Sequence, residues 1–289
     1  MKEDFLRRFL FEDLGVRGEW VHLSESWQLA KQHQHYATHI ESLLGQALAA
    51  AVLLSATIKF KGSMILQAQG DGAIKTLVAQ ASDQRKIRGL IRCDANTANA
   101  PLHKQFGRGR LVLTVASENA DPYQGIIPLQ ANSLAANLEH YFQQSEQLNT
   151  RVWLFADGEN AAGLLLQQLP AVPHKKMVDW ERVELLANTI TQTELLSLDC
   201  ETLLYRLFNE EKVRLFAAEA IEFECSCSRP RIERTLQAMG SDELYSILQE
   251  REIIEIICEF CNAQYLFDRL DVAALLAKTV QSSDVNTLH

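Results

Sequence analysis

Four of the six cysteines in this 289-residue chain fall in two close pairs near the C-terminus. Cys225-Ser226-Cys227 is a C-x-C pair, and Cys258-Glu259-Phe260-Cys261, thirty residues further on, is a C-x-x-C pair. Nothing else in the sequence constrains the fold as tightly. Four soft thiolates arriving as two pairs suit a tetrahedral zinc ion, each pair forming one half of the clamp. A zinc-bound thiolate is deprotonated at neutral pH, whereas a free cysteine titrates near ~8.5. Structural zinc contributes on the order of 10–16 kcal/mol to the folding of small modules, against a total of ~5–15 kcal/mol for whole domains. Residues 225–289 are therefore expected to form a small zinc-binding α+β domain that folds around Cys225, Cys227, Cys258 and Cys261.

The same pairs can oxidise, and a disulfide sulfur no longer carries the charge that holds a cation. Cys258 and Cys261 have the spacing that closes a disulfide easily, while the Cys225/Cys227 ring is tighter and strained. Spacing alone leaves three readings open: a permanent structural zinc, a redox switch, and an iron–sulfur cluster. The C-x-C half tilts toward the switch, because structural ribbons more often carry two C-x-x-C knuckles.

Charge divides the chain further. Residues 172–224 hold six Lys/Arg against eleven Asp/Glu, and 225–289 hold six against ten, so the first 171 residues are balanced within a net charge of −9. An acidic metal segment argues against a nucleic-acid-binding ribbon, which needs Lys and Arg for phosphates. Met1-Lys2-Glu3-Asp4-Phe5-Leu6-Arg7-Arg8 lacks the pattern of a signal peptide. The best apolar run, Leu43 to Ile58, is broken by polar residues and reads as too short for a membrane span. A cytoplasmic protein is expected, in which thiols remain reduced.

The pattern of elements predicts an α+β architecture: an N-terminal mixed sheet-and-helix domain over 1–171, a helical linker over 172–224 and the metal domain. Thr38-His39-Ile40-Glu41 fits a capping box opening a long helix, apolar on most faces and hence buried. Strands are predicted at Met64–Gln69 and Ile74–Ala79 around a Gly70-Asp71-Gly72 turn, and at Lys86–Cys93, Arg110–Ser117 and Arg151–Ala156. Ser133–Leu148 reads as a helix. Pro170 and Pro173 mark a boundary. Beyond it, Val178–Ile190 has helical spacing, Thr191-Gln192-Thr193-Glu194 fits a second capping box, and Asp199 can start a helix through Phe208. Val213–Phe223 reads as extended. In the metal domain, Ser228 and Ser241 can cap helices ending at Met239 and Gln249, Ile253–Ile257 and Gln264–Phe267 read as strands, and Asp268–Val280 as a last helix.

Other features read blandly. His33, His35 and His39 are solvated or capping rather than metal ligands, and Gly107-Arg108-Gly109-Arg110 is a turn rather than an RNA-contacting loop. Cys93 and Cys200 read as buried inert thiols, and Trp180 as packing or as a docking anchor. No catalytic arrangement of Ser, His, Asp or Cys is legible. The chain reads as a non-enzyme, the alternatives being a zinc-ribbon thiol oxidoreductase and a nucleic-acid-binding zinc module.

Cys225-Ser226-Cys227-Ser228-Arg229 together with Cys258-Glu259-Phe260-Cys261-Asn262-Ala263-Gln264-Tyr265-Leu266-Phe267-Asp268 strongly resembles the heat shock protein 33 family of bacterial redox-regulated holdase chaperones. The likeness extends to Gln67–Gly72, Ile87–Gly89, Tyr123–Leu129 and Ala162–Pro170, and so covers nearly the whole chain. One departure is Glu250-Arg251-Glu252, where a Gly-containing turn is expected. The resemblance implies an inactive reduced form holding zinc. Peroxide with heat, or hypochlorous acid, would form Cys258–Cys261 and Cys225–Cys227 disulfides and release the metal. The metal domain and linker would then lose order, and homodimers of this form would bind unfolding client proteins without ATP. No nucleic-acid or membrane partner is expected.

Overall fold

The apolar helix is the centre of the fold. The computed structural model describes residues 4–117, 120–170 and 175–284, and all of their side chains except those of 175–178 and 278–284. Met1, Lys2, Glu3 and the boundary residue Pro173 lie outside the described residues. The chain divides into two compact units, one up to Glu224 and one from Cys225.

In the first unit the helix Thr38–Thr57 lies between two six-stranded sheets. Sheet A contains β1 (Phe5–Phe11), β2 (Val16–Leu23), β8 (Thr150–Ala156), β9 (Ala161–Gln168), β10 (Val213–Leu215) and β11 (Glu219–Ala220). Its order is β10-β1-β2-β9-β8, with β11 also on β1. Sheet B contains β3 (Gly62–Gln69), β4 (Ile74–Ser82), β5 (Lys86–Cys93), β6 (Arg110–Ser117), β7 (Tyr123–Pro128) and β12 (Glu222–Phe223), in the order β12-β5-β4-β3-β6-β7. All pairings in these sheets are antiparallel except that of β12 with β5.

The helix is apolar all round because both its sides meet a sheet. Leu44, Leu48 and Leu53 are fully buried in one core with Leu6, Val21 and Leu165 of sheet A and Leu66, Leu77 and Leu111 of sheet B. Small residues permit the approach: a Cβ on Gly45 would lie 2.6 Å from that of Ala156. With 20 residues the helix is long and apolar enough to cross a membrane by length and composition, contrary to the sequence reading, but it is buried inside the protein. Its start also differs. Ala37, in extended conformation, is the N-cap, and Thr38 sits inside the first turn without a side-chain cap.

Strands β3, β4, β5, β6 and β8 match the expectation to within a few residues. Gly70 donates to the Lys75 carbonyl (3.2 Å) across the β3–β4 turn, and the Asp71 carboxylate accepts from the Arg108 backbone (2.8 Å) and Nε (2.9 Å). Gly107, at φ 65°, makes the predicted turn before β6. Ser133 caps a helix over Leu134–Tyr141, which continues as a π-helical turn, Phe142–Glu146. Strands β1, β2, β7 and β9 were not legible as strands. In β9 every residue but Gln168 is buried, so no period-two alternation marks it.

Sheet A has a second buried face. Helices Lys175–Ala187, Gln192–Ser197 and Cys200–Phe208 close it. Phe9, Phe11, Val16, Trp20, Leu164 and Leu166 of the sheet form one core with Trp180, Val183, Leu195, Leu196, Leu203, Leu204 and Phe208 of the helices. Phe208 stands edge-on to Phe11 at 4.9 Å. Both predicted caps are made: Thr191 and Glu194 form a reciprocal capping box, and Asp199 accepts from the Thr202 backbone. Such caps fix short helices that would be marginal in isolation.

Candidate metal centre

The second unit brings the four predicted cysteines together. Strands β13 (Ile254–Ile257) and β14 (Gln264–Phe267) form a hairpin in which Ile257 pairs with Gln264. Cys258 leaves the end of β13. Its amide donates to the Ala263 carbonyl (2.9 Å), and its carbonyl accepts from Asn262 (2.7 Å). This knuckle needs a left-handed residue, and Asn262 provides it at φ 58°. Cys225 and Cys227 lie just before helix Arg229–Met239. Ser228 takes its N-cap position without a side-chain bond, and the next helix, Ser241–Glu250, has Gly240 (φ 89°) rather than Ser241 as N-cap.

The four sulfurs all lie within 4.8 Å of one another, each cysteine being half-buried. Cys225 Sγ is 3.6 Å from Cys258 Sγ, and Cys227 Sγ is 3.3 Å from Cys261 Sγ. A zinc ion with ~2.3 Å bonds to a sulfur tetrahedron requires edges of about 3.8 Å, so the donor set fits the metal. Burial and the neighbouring sulfurs hold the Cys261 thiol well above its ordinary range. Four thiolates this close can ionise together only around a cation. The residues therefore fit a soft divalent ion in both geometry and charge.

Two supports were not legible in the sequence. The Tyr265 hydroxyl lies 3.2 Å from Cys227 Sγ, and this bond, with burial, pushes the phenol up to about 12. Arg229 ties the unit together: Nη1 donates to the Leu266 carbonyl (2.9 Å), Nη2 meets Asp271 (2.9 Å), and the guanidinium lies 4.3 Å over the Phe267 ring. Tyr265 shares a strand face with buried Phe267, a period-two cue available in the sequence. For Arg229 no local signal existed. The apolar core here is small: Leu236, Leu244, Leu248, Ile254, Phe267, Val272 and Leu275.

The remaining candidates stay apart from the centre. Cys200 is buried, and burial pushes its thiol up to about 12, as befits an inert residue. Cys93 is only half-buried at the edge of the main core. His33 and His35 are exposed, and among the described residues the four cysteines are the one cluster suited to a metal.

Four free thiols clustered in a small C-terminal unit, in a chain whose other unit is rich in sheet, define a class: proteins with a tail whose cysteines suit a metal. The chain's residues 4–268 match the family model described as Hsp33 protein. It is 52% identical over 286 residues to the 33 kDa chaperonin of Nitrosococcus oceani, with 99% of each chain covered. It is 43% identical over 292 residues to that of Hahella chejuensis, with 100% of each covered, and 40% identical to that of Aeromonas salmonicida, with 99% of each covered. The crystal structure of the 33 kDa chaperonin from Thermotoga maritima shares the fold, with a TM-score of 0.80 and 23% identity over 96% of this chain and 99% of the other. The chain belongs to the Hsp33 family. It is a redox-regulated holdase chaperone that binds client proteins, not an enzyme.

Proposed function

We propose that Cys225, Cys227, Cys258 and Cys261 hold zinc in the reduced protein and are themselves the redox switch. The observation that carries this is the meeting of four sulfurs within 4.8 Å in a unit with so small a core. The ion would supply the cross-link that the core is too small to replace. Oxidation converts two thiolates to one disulfide. The two electrons pass to peroxide, which leaves as two waters after taking up two protons. A pair so oxidised is no longer a ligand set. Cys258–Cys261 closes first and Cys225–Cys227 second, on ring size.

The packing of short helices on the outer face of sheet A, within the unit that ends at Glu224, supports the next step. Residues 172–224 act as a detachable linker between a 1–171 core and the 225–289 switch. When the switch loses order, the chain preceding Cys225 loses its anchor, and helices that are short and individually marginal separate from sheet A. Phe9, Phe11, Trp20, Leu164 and Leu166 then face solvent and bind unfolding clients. The active form is a homodimer in the bacterial cytoplasm. Zinc release and light scattering of a heat-unfolding client, followed together while peroxide is added, test this reading. Metal loss should coincide with suppressed aggregation. Metal loss with unhindered aggregation would overturn it.

A further inference from the structure

The acidic linker sits on a set of cations supplied by the rest of the first unit. Arg7 Nη1 meets Glu201 at 3.0 Å, and Arg151 Nη2 meets Glu184 at 2.6 Å. Glu219 bridges two cations, with Arg8 Nη2 at 2.7 Å and Arg85 Nε at 2.9 Å. Lys86 pairs with Glu222 and, at 3.5 Å, with Glu224. The polarity is one-sided. Lys212 with Asp13 is the reverse case among these contacts, while Arg182 and Arg206 of the linker pair with its own Glu211 and Glu194. Arg7 and Arg151 lie on the same face of sheet A as Phe9 and Trp153, beneath the covering helices. Arg8, Arg85 and Lys86 line the rim under 213–224.

Resting on the reading that this linker departs, we propose that the uncovered surface selects unfolded segments in which apolar residues are flanked by Asp or Glu. The occupant seen on the surface is itself such a segment: Leu195, Leu196, Leu203, Leu204 and Phe208 pack on the sheet while Glu184, Glu201 and Glu219 meet its cations. Departure of the linker leaves Arg7 without its carboxylate on the apolar face and Arg8, Arg85 and Lys86 without theirs on the adjoining rim, while Arg151 keeps Glu139 at 2.9 Å. A client carrying carboxylates beside its apolar residues restores both sets of contacts. A client carrying lysines there meets repulsion.

The test uses the full-length oxidised protein and three fluorescent peptides with identical Leu and Phe positions, flanked by Glu, Gln or Lys. Anisotropy titrations at low salt should rank Glu above Gln above Lys, with at least ~fivefold between the extremes, narrowing in 0.5 M NaCl as screening shortens the field. The Arg7→Gln/Arg8→Gln/Arg85→Gln variant should bind the Gln peptide as wild type does and lose most of the preference for Glu. Equal affinities for the three peptides in the wild-type protein would overturn this inference alone, whatever the variant does. Binding of none, with clients still unprotected, would overturn the opened-surface reading as well.

Discussion

The two units are held together by different means. In the first, a buried helix is packed between two sheets, and a second apolar core seals the outer face of sheet A. In the second, seven buried apolar residues and one arginine clasp surround a sulfur cluster. Hydrophobic area dominates where there is enough of it, and a small unit needs a staple. On the proposed reading, the difference makes the tail sensitive to oxidation and the core indifferent to it. A switch requires that asymmetry.

The largest expected effect tests it directly. Replacing all four cysteines by serine, or chelating the metal, removes a contribution on the order of 10 kcal/mol from the tail. Circular dichroism and proteolysis should show 225–289 unfolded with the helix Thr38–Thr57 still protected. A compact, protease-resistant tail would break the comparison. Next in size is the linker seal. Phe208→Ala removes a fully buried ring packed on Phe11 and should weaken docking by about 3–5 kcal/mol. Suppression of client aggregation under reducing conditions is the readout, and the variant should be active without oxidant.

Much of this was legible in the sequence. The four clustered cysteines were found because C-x-C and C-x-x-C are local patterns with one main chemical use. The linker helices were found through Thr191, Glu194 and Asp199, whose caps are also local. What escaped was long-range. Strand β9 pairs with β2 from the far end of the first unit's sequence, and Phe9 and Phe11 of β1 are buried by residues of the helices over 180–208. The Arg229 clasp and the Glu219 bridge join residues with no shared motif.

A smaller effect sharpens the account of the first unit. Glu19 is buried in sheet A, where burial raises its carboxyl from 4.5 to about 7, opposed by Arg17 and Arg8. The folded state prefers the proton, so this group's contribution is fully present below pH 4.5 and is lost as pH rises through 7. Thermal unfolding of the Glu19→Gln variant should therefore vary less with pH across that window than the wild type. The smallest expected change is Thr191→Ala, which removes the capping box. It should cost about 1 kcal/mol and modestly lower the oxidant needed for activation, read from client protection against peroxide concentration.

Hydrogen exchange read by mass spectrometry during stepwise peroxide addition tests the central claim most directly. The account predicts that peptides from 225–284 and 179–224 lose protection together as zinc is released, while peptides from 40–56 and 64–91 keep theirs. Retained protection in the tail after the metal has gone would contradict it.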